Sequence, residues 1–245
     1  MEQALFWGAI AGSANLLGAL LVLWLPLNQR IIAGIMALGT GTLIGAVVYG
    51  LLGEALAIGT ILDIALGFLG GAAMFAAIDI IISRKGGLHR KRSGHGADAP
   101  NAAATGSGLA IFIGTVMDAI PETAMIGLSL VEDGKVSAVL IAAIFISNLP
   151  EGISSASGLK KGGYSIPSIL LMWLAVLIIS SFSSLAGYTL LAQASVDAQT
   201  ILASFAAGAI IAMVSATMMP EAYEKAGPIV GFLTACGFFI ALILH

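Results

Sequence analysis

The sequence predicts an all-α integral membrane protein with eight transmembrane helices. Of its 245 residues 59% are hydrophobic and 9% charged, and the mean hydropathy is +1.04, which soluble domains do not reach. The apolar residues also fall into runs of about 18 to 25, the length with which a helix crosses a bilayer. The runs place spans at 4–26, 31–53, 61–83, 108–131, 136–158, 166–192, 199–221 and 226–244, within a single transmembrane domain of residues 1–245.

The basic residues predict how the spans are oriented. Nine of the ten Lys and Arg fall in the loops after spans 1, 3, 5 and 7, and Lys135 alone falls on the other side. Since basic loops remain in the cytoplasm, we expect both termini to be extracytoplasmic, in the inner or plasma membrane. The few scattered charges offer no surface for nucleic acid. The nine residues are Arg30, Arg84, Lys85, Arg90, Lys91, Arg92, Lys160, Lys161 and Lys225.

The longest connector, 84–107, is rich in Gly, Ala and basic residues. This composition cannot bury a core, so we expect a flexible cytoplasmic loop. Two interpretations of its histidines, His89 and His95, stay open: they hold a metal transiently, or they belong to a solvated basic loop that fixes the topology.

Spans 2 and 7 resemble each other. Under the predicted topology they run in opposite directions, so spans 1–3 and 6–8 would form an inverted repeat around a hairpin of spans 4 and 5. The 31 glycines favour close helix contacts and also permit a homodimer. The ungapped alignment pairs Gly41 with Gly208, Val47 with Val214, Glu54 with Glu221 and Ala55 with Ala222.

Two central stretches, "MDAIPETAMIG" in span 4 and "ISNLPEGISSASG" in span 5, each set a proline beside a glutamate. A proline inside a helix removes one hydrogen bond and displaces the carbonyl four residues earlier. Pro121 and Pro150 therefore predict kinked helices with freed carbonyls at Met117 and Ile146. Because the connector "VEDGKVS" is short, we expect the two helices to pack as an antiparallel pair.

Helical spacing gathers polar side chains beside these prolines. Asp118 and Glu122 are four residues apart and share a face of span 4. Ser147, Asn148 and Glu151 share a face of span 5. Three carboxylates in apolar surroundings are costly unless they bind a cation. We therefore predict a metal site made of these five residues.

The strings "DAIPET" and "SNLPEG" resemble the paired metal-binding motifs of the ZIP family (zinc- and iron-regulated transporter-like) of divalent metal transporters. The family pattern is His-Asn-x-Pro-Glu-Gly in the fourth helix and a similar motif in the fifth. The resemblance extends to the eight spans, to Asp79 before the long connector and to the "MMPEA" stretch of span 7. It implies metal uptake without ATP, by alternating exposure of a site between spans 4 and 5.

The chain departs from this pattern at the histidines. Asp118 and Ser147 stand where the two motifs open with His, and Ala119 stands where the first has Asn. A glutamate of the family's sixth helix is replaced by Ser180 or Ser181. We therefore expect a divergent, prokaryotic-type member that binds one cation.

The residues and the resemblance favour different metals. Oxygen ligands without imidazole suit Mn²⁺, Mg²⁺ or Ca²⁺. The resemblance implies zinc or another transition metal such as Mn, Fe or Cd. In either case the metal is the transported substrate, and we expect no cofactor.

Two other functions stay open beside a transporter. An intramembrane metal-dependent hydrolase would need a base beyond the ligands, but the sequence has no HExxH motif, and its apolar runs hold no histidine before His245. A metal-binding sensor would use the same ligands without transport. The chain also lacks a GxxxxGK[ST] phosphate loop. We therefore predict an ATP-independent transporter and not an enzyme.

Further positions each allow two interpretations. Asp63 would be a capping charge or part of a cation entry, and Glu221 would line an exit or be solvated at a helix end. Met213, Met218 and Met219 are expected to pack in the core rather than bind metal.

Overall fold

The computed structural model describes residues 1–25, 27–82, 107–132, 136, 138–192 and 194–244, and their regular secondary structure is entirely helical. The predicted loop 84–107, with His89 and His95, lies outside these residues except for Ser107. The helices are α1 (Glu2–Trp24), α2 (Gln29–Ile58), α3 (Ile61–Ile82), α4 (Ser107–Glu132), α5 (Ala138–Lys161), α6 (Ile166–Leu191), α7 (Val196–Ala226) and α8 (Ile229–Leu244).

Seven of these helices, α1 to α7, are long and apolar enough to cross a membrane. Large side chains on their outer faces, such as Leu69 and Leu171, are about two-thirds exposed, as expected for contact with lipid. The chain is therefore an all-α, multi-pass membrane protein. α8 has 16 residues, because Gly227 turns the chain with a φ of 71° and Pro228 delays the helix to Ile229.

Short polar side chains begin several helices. Asn28, Ser165 and Ser195 each accept a hydrogen bond from a backbone amide two or three residues later. Before α3, the Thr60 hydroxyl donates to the Asp63 carboxylate at 2.6 Å and accepts from the Asp63 amide at 3.2 Å. This reciprocal arrangement confirms the capping interpretation of Asp63.

Each of α2 and α7 contains a π-helical segment, Val47–Leu52 in α2 and Val214–Met218 in α7. A π turn carries one extra residue, interrupts the regular hydrogen-bond pattern and is frequent at functional sites. Both helices then continue beyond the predicted ends, to Ile58 and Ala226. The apolar pattern of the sequence contains no signal for either segment.

Small residues bring one group of helices, α2, α3, α7 and α8, close together. α2 packs along α8, and α3 packs along α7. In both contacts a Cβ atom on a glycine would overlap a carbonyl oxygen of the facing helix, so only glycine fits. The pairs are Gly41 with Thr234, Gly237 with Leu38, Gly208 with Phe68 and Gly71 with Phe205.

A second group comprises α1, α4, α5 and α6. α1 packs along α5 and α6, and α4 packs along α6. Glycines again face carbonyl oxygens at these contacts, which brings the backbones within reach of one another. The pairs are Gly152 with Asn15, Gly18 with Leu149, Gly127 with Ser184 and Gly187 with Ala124.

The expectation that α4 and α5 pack directly as an antiparallel pair is wrong, since they make little contact with each other. α5 lies against α1 and α2, and α4 lies mainly against α6. The glycine faces explain the difference. Gly152 of α5 meets α1 and Gly127 of α4 meets α6, so each helix makes its closest approach to that neighbour.

The apolar core extends through both groups of helices. Met213 and Met218 are buried in it, and the half-buried Met219 packs against it. The expectation that these methionines serve packing is therefore confirmed.

Candidate metal centre

All five predicted metal ligands lie inside the bundle. Asp118, Glu122, Ser147, Asn148 and Glu151 are each at most 2% exposed. Burying a carboxylate in an apolar helical bundle is costly unless another group compensates its charge. Asp118, Glu122 and Glu151 are three buried acids on α4 and α5, which follow each other in the sequence. They mark this region as the candidate functional site.

On α4, one face carries the polar residues. Asp118 and Glu122 lie one helical turn apart, and Pro121 lies between them inside the uninterrupted helix. Thr115, three residues before Asp118, is 1% exposed and extends the same face by another turn. The sequence prediction did not include Thr115, although the spacing of residues 115, 118 and 122 places all three on one helical face.

Hydroxyl groups bond to the carbonyls around Pro121. Thr123 donates to the carbonyl of Ala119 at 2.7 Å, within α4. Ser183 of α6 donates to the carbonyl of Ile120 at 2.8 Å. Such side-chain bonds help to satisfy backbone acceptors next to a proline, and they tie this turn of α4 to α6.

On α5, Ser147 and Asn148 lie one turn before Glu151. The Ser147 hydroxyl donates to the Ile144 carbonyl at 2.9 Å, which leaves the lone pairs of its oxygen for another partner. Among the described residues, the buried Nδ2 of Asn148 has no hydrogen-bond partner. The polar face of α5 thus retains hydrogen-bonding capacity at these two positions.

α2 approaches this face of α5 at a glycine. A Cβ atom on Gly39 would lie 2.8 Å from both the Cα and the backbone nitrogen of Ser147, which is closer than real Cβ contacts. We therefore expect Gly39→Ala to displace α5 near its predicted ligands and to lower the free energy of unfolding, since overpacking costs about 1–3 kcal/mol. Thermal unfolding in detergent measures the effect.

Gly34→Ala is the matched control on the same helix, because its Cβ would meet only the end of the Leu233 side chain, at 3.4 Å. Equal stability of the Gly39→Ala and Gly34→Ala proteins would contradict the close approach of α2 to α5.

α1 contributes Asn15, a polar residue that the sequence prediction did not include. Asn15 is 1% exposed, and its backbone lies against Gly152, the residue that follows Glu151. Its buried Oδ1 has no hydrogen-bond partner within the described parts of the chain. An amide in the middle of a mainly apolar span was the available signal.

The two serines considered as replacements for the sixth-helix glutamate have other contacts. Ser180 lies against Gly12 of α1, where a Cβ would be 2.8 Å from the serine Cβ. The Ser181 hydroxyl donates to the Leu177 carbonyl of its own helix at 3.0 Å.

The acids are not gathered into a closed cluster. Among the described residues, no three His, Cys, Asp or Glu side chains lie close enough together to hold a metal ion. The meeting of Asp118, Glu122 and Glu151 around one cation therefore stays a prediction. Their burial and their helical spacing are the structural facts that bear on it.

The interpretation of Glu221 of α7 as a residue solvated at a helix end is wrong, whereas its place on an exit stays a prediction. Glu221 is 1% exposed and therefore not solvated at the helix end. Its carboxylate forms an ion pair with Lys225 at 2.6 Å and accepts a hydrogen bond from Ser154 of α5. Glu224, by contrast, is exposed.

No protein-family model matches this chain, and no curated protein matches it.

Proposed function

We propose that this protein is a transporter that moves divalent metal ions across a membrane without ATP. The observation that carries the proposal is the burial of Asp118, Glu122 and Glu151 within a multi-pass helical membrane protein. Acids inside a membrane bundle are rare, and they mark ion and substrate pathways when they occur. A divalent cation would compensate their charge, and the chain has few basic residues to do so.

The ligand set would combine carboxylates with weaker oxygen donors. Asp118, Glu122 and Glu151 would supply the charge, and the Asn148 and Ser147 side chains would complete the shell. Such a set binds Mn²⁺ well, and it also accepts Zn²⁺, Fe²⁺ or Cd²⁺ when the surrounding helices allow it. We propose that α4 and α5 supply these ligands from two sides, since they carry the acids on separate helices.

An inverted repeat is part of the proposal, and the positions of the π segments support it. The alignment of spans 2 and 7 pairs Val47 with Val214, and a π segment starts at each of these two residues. The alignment was made from sequence alone, so a shared irregularity at the same position is an independent observation. Local unwinding in corresponding helices is a feature of transporters built from inverted repeats.

The glycine contacts support the same repeat. Gly41 of α2 lies against the Thr234 carbonyl of α8, and its aligned partner Gly208 of α7 lies against the Phe68 carbonyl of α3. The two contacts are related as a repeat predicts, because α2 and α8 correspond to α7 and α3. We propose that the two halves exchange conformations during transport, exposing the site to each side in turn.

The proposed topology has eight spans, with α8 as the last, and both termini outside the cytoplasm. Its support is the position of the basic residues in the sequence, of which Arg30, Lys160, Lys161 and Lys225 lie in the described part of the chain. With its 16 residues α8 extends about 24 Å, so it would need a locally thinner bilayer or flanking residues to complete the crossing.

Membership of the ZIP family is a proposal that rests on the two Pro-Glu motifs. Asp118 and Ser147 at the positions of the motif histidines would shift the metal preference toward ions that favour oxygen ligands. A hydrolase is not proposed, because the sequence has no HExxH motif and no histidine in its apolar runs before His245.

Flux measurements on the purified protein test this function. Proteoliposomes should accumulate Mn²⁺ or Zn²⁺ without ATP, well above protein-free vesicles, and competition with Fe²⁺, Cd²⁺ and Mg²⁺ should give the order of preference. Metal binding without accumulation would favour the sensor. An absence of both binding and accumulation for all five ions would overturn the proposal.

A further inference from the structure

A buried polar link joins α7 to α5 at Ser154, three residues after Glu151. Glu221 of α7 and Ser154 of α5 are each 1% exposed, and the Ser154 hydroxyl donates to the Glu221 carboxylate. The ammonium group of Lys225 reaches both, at 2.6 Å from the carboxylate and 3.0 Å from the hydroxyl oxygen. The Lys225 side chain is only 12% exposed. One cation, tethered to the protein, is thus held by two oxygen atoms from two helices.

This link lies on the continuation of the predicted site along α5. Ser147, Glu151 and Ser154 are separated by four and three residues, so they share one helical face. Ser154 comes about 4.5 Å along the helix after Glu151. Lys160 and Lys161 lie in the last turn of α5. An ion that moved from Glu151 toward that end of the helix would next meet Ser154 and Glu221.

The part of α7 that carries Glu221 and Lys225 follows two irregularities. The π segment Val214–Met218 ends just before it, and Pro220 lies in its first turn. A π turn and a proline both remove regular hydrogen bonds, so they allow a helix to bend. The end of α7 can therefore move relative to α5 without unfolding the rest of the helix.

We propose that Glu221 and Ser154 form a second cation-binding position, which the Lys225 ammonium group fills as a tethered plug. Carboxylate and hydroxyl oxygens are ligands for divalent metal ions, and two such ligands fit a partly hydrated ion that is bound weakly and released easily. A divalent ion arriving at this position displaces the ammonium group from Glu221. The binding position stands on its own contacts, whereas its place on the ion's path rests on the proposed transport function.

The plug exists on one side only. In the proposed repeat, Glu54 corresponds to Glu221. The same symmetry relates α4 to α5, because Gly127 of α4 lies against α6 as Gly152 of α5 lies against α1. Ser129, two residues after Gly127, therefore corresponds to Ser154, two residues after Gly152. Ile58 occupies the position that corresponds to Lys225. The Ser129 hydroxyl donates to a carbonyl of its own helix, and Glu54 is only partly buried. The two ends of the path therefore differ in the cationic side chain, in the contact of the serine hydroxyl and in the burial of the glutamate.

Equilibrium binding of Mn²⁺ tests the proposal. Lys225→Met removes the tethered cation, so it should bind about one more Mn²⁺ per chain than the unmodified protein when Mn²⁺ is titrated to the order of millimolar. Lys225→Gln, whose amide still donates to the carboxylate, should show the same gain even if Lys225→Met does not fold. Bound Mn²⁺ is counted by equilibrium dialysis and electron paramagnetic resonance.

Two further proteins make the result specific. The double variant Lys225→Met with Glu221→Gln should return to the unmodified number of ions. Lys160→Met, which removes a lysine that donates to the Leu23 carbonyl, should show no gain. An unchanged number in both Lys225 variants, or a gain that persists without Glu221, would overturn the second position.

The binding readout separates this proposal from the transport function. If the unmodified protein moves no metal but Lys225→Gln gains one Glu221-dependent ion, the transport function fails and the second position stands. If metal is transported but no variant gains an ion, the second position fails alone.

Discussion

Glu122→Gln and Glu151→Gln are each expected to abolish metal uptake into proteoliposomes. Both carboxylates are buried, at 0% and 2% exposure, so each can contribute a full charge to an ion inside the bundle. Glutamine keeps the size of the side chain and one oxygen atom but removes the charge. We expect uptake at low metal concentration to fall by about 100-fold or more, which corresponds to roughly 3 kcal/mol of lost binding free energy.

Asp197→Asn provides the matched control for charge. Asp197 is exposed in the first turn of α7, so the same loss of one negative charge should leave uptake unchanged. Size-exclusion chromatography of each variant shows whether the fold is retained. Full uptake by a folded Glu122→Gln or Glu151→Gln protein would contradict the site.

Gly71→Ala is expected to destabilise the protein strongly, whereas Gly70→Ala next to it is not. A Cβ at Gly71 would overlap the Phe205 carbonyl of α7, whereas a Cβ at Gly70 would lie 3.9 Å from the Cδ2 atom of the Phe205 ring. Overpacking should cost Gly71→Ala about 1–3 kcal/mol of unfolding free energy or more. Gly70→Ala should be neutral or stabilising by up to about 1 kcal/mol, because alanine is the better helix former.

Thermal unfolding in detergent compares the two proteins directly, since they differ only in which of two adjacent glycines carries the methyl group. The same measurement tests the inverted repeat. Gly237 lies against the Leu38 carbonyl in the contact that corresponds to Gly71 and Phe205, so Gly237→Ala should cost a similar amount. Equal stability of the Gly70→Ala and Gly71→Ala proteins would contradict the observed packing of α3 on α7.

The positions of the helices were predictable because a helix must bury its backbone polar groups within itself when it lies in lipid. Long apolar runs therefore located α1 to α7 to within a few residues. The ends were less predictable, because they depend on individual caps and turns. The positive φ of Gly227, which shortens the last helix, is one example.

The candidate ligands were found by spacing alone, because helical periodicity fixes which residues share a face. What each face contacts was not predictable in this way. α5 packs against α1 and α2 rather than α4, and Ser154 became visible only as the partner of Glu221. Asn15 and Thr115 joined the candidate region in the same manner, through burial rather than through a motif.

The sequence by itself determined that this chain is helical, that it lies in a membrane, and which acids stand in the middle of its helices. Those properties follow from composition and from the period of a single helix, which are local. The tertiary structure alone decided that α5 faces α1 and α2, and that Lys225 and Ser154 enclose Glu221. The reason is that close contact between two helices depends on where glycines on both of them coincide in space.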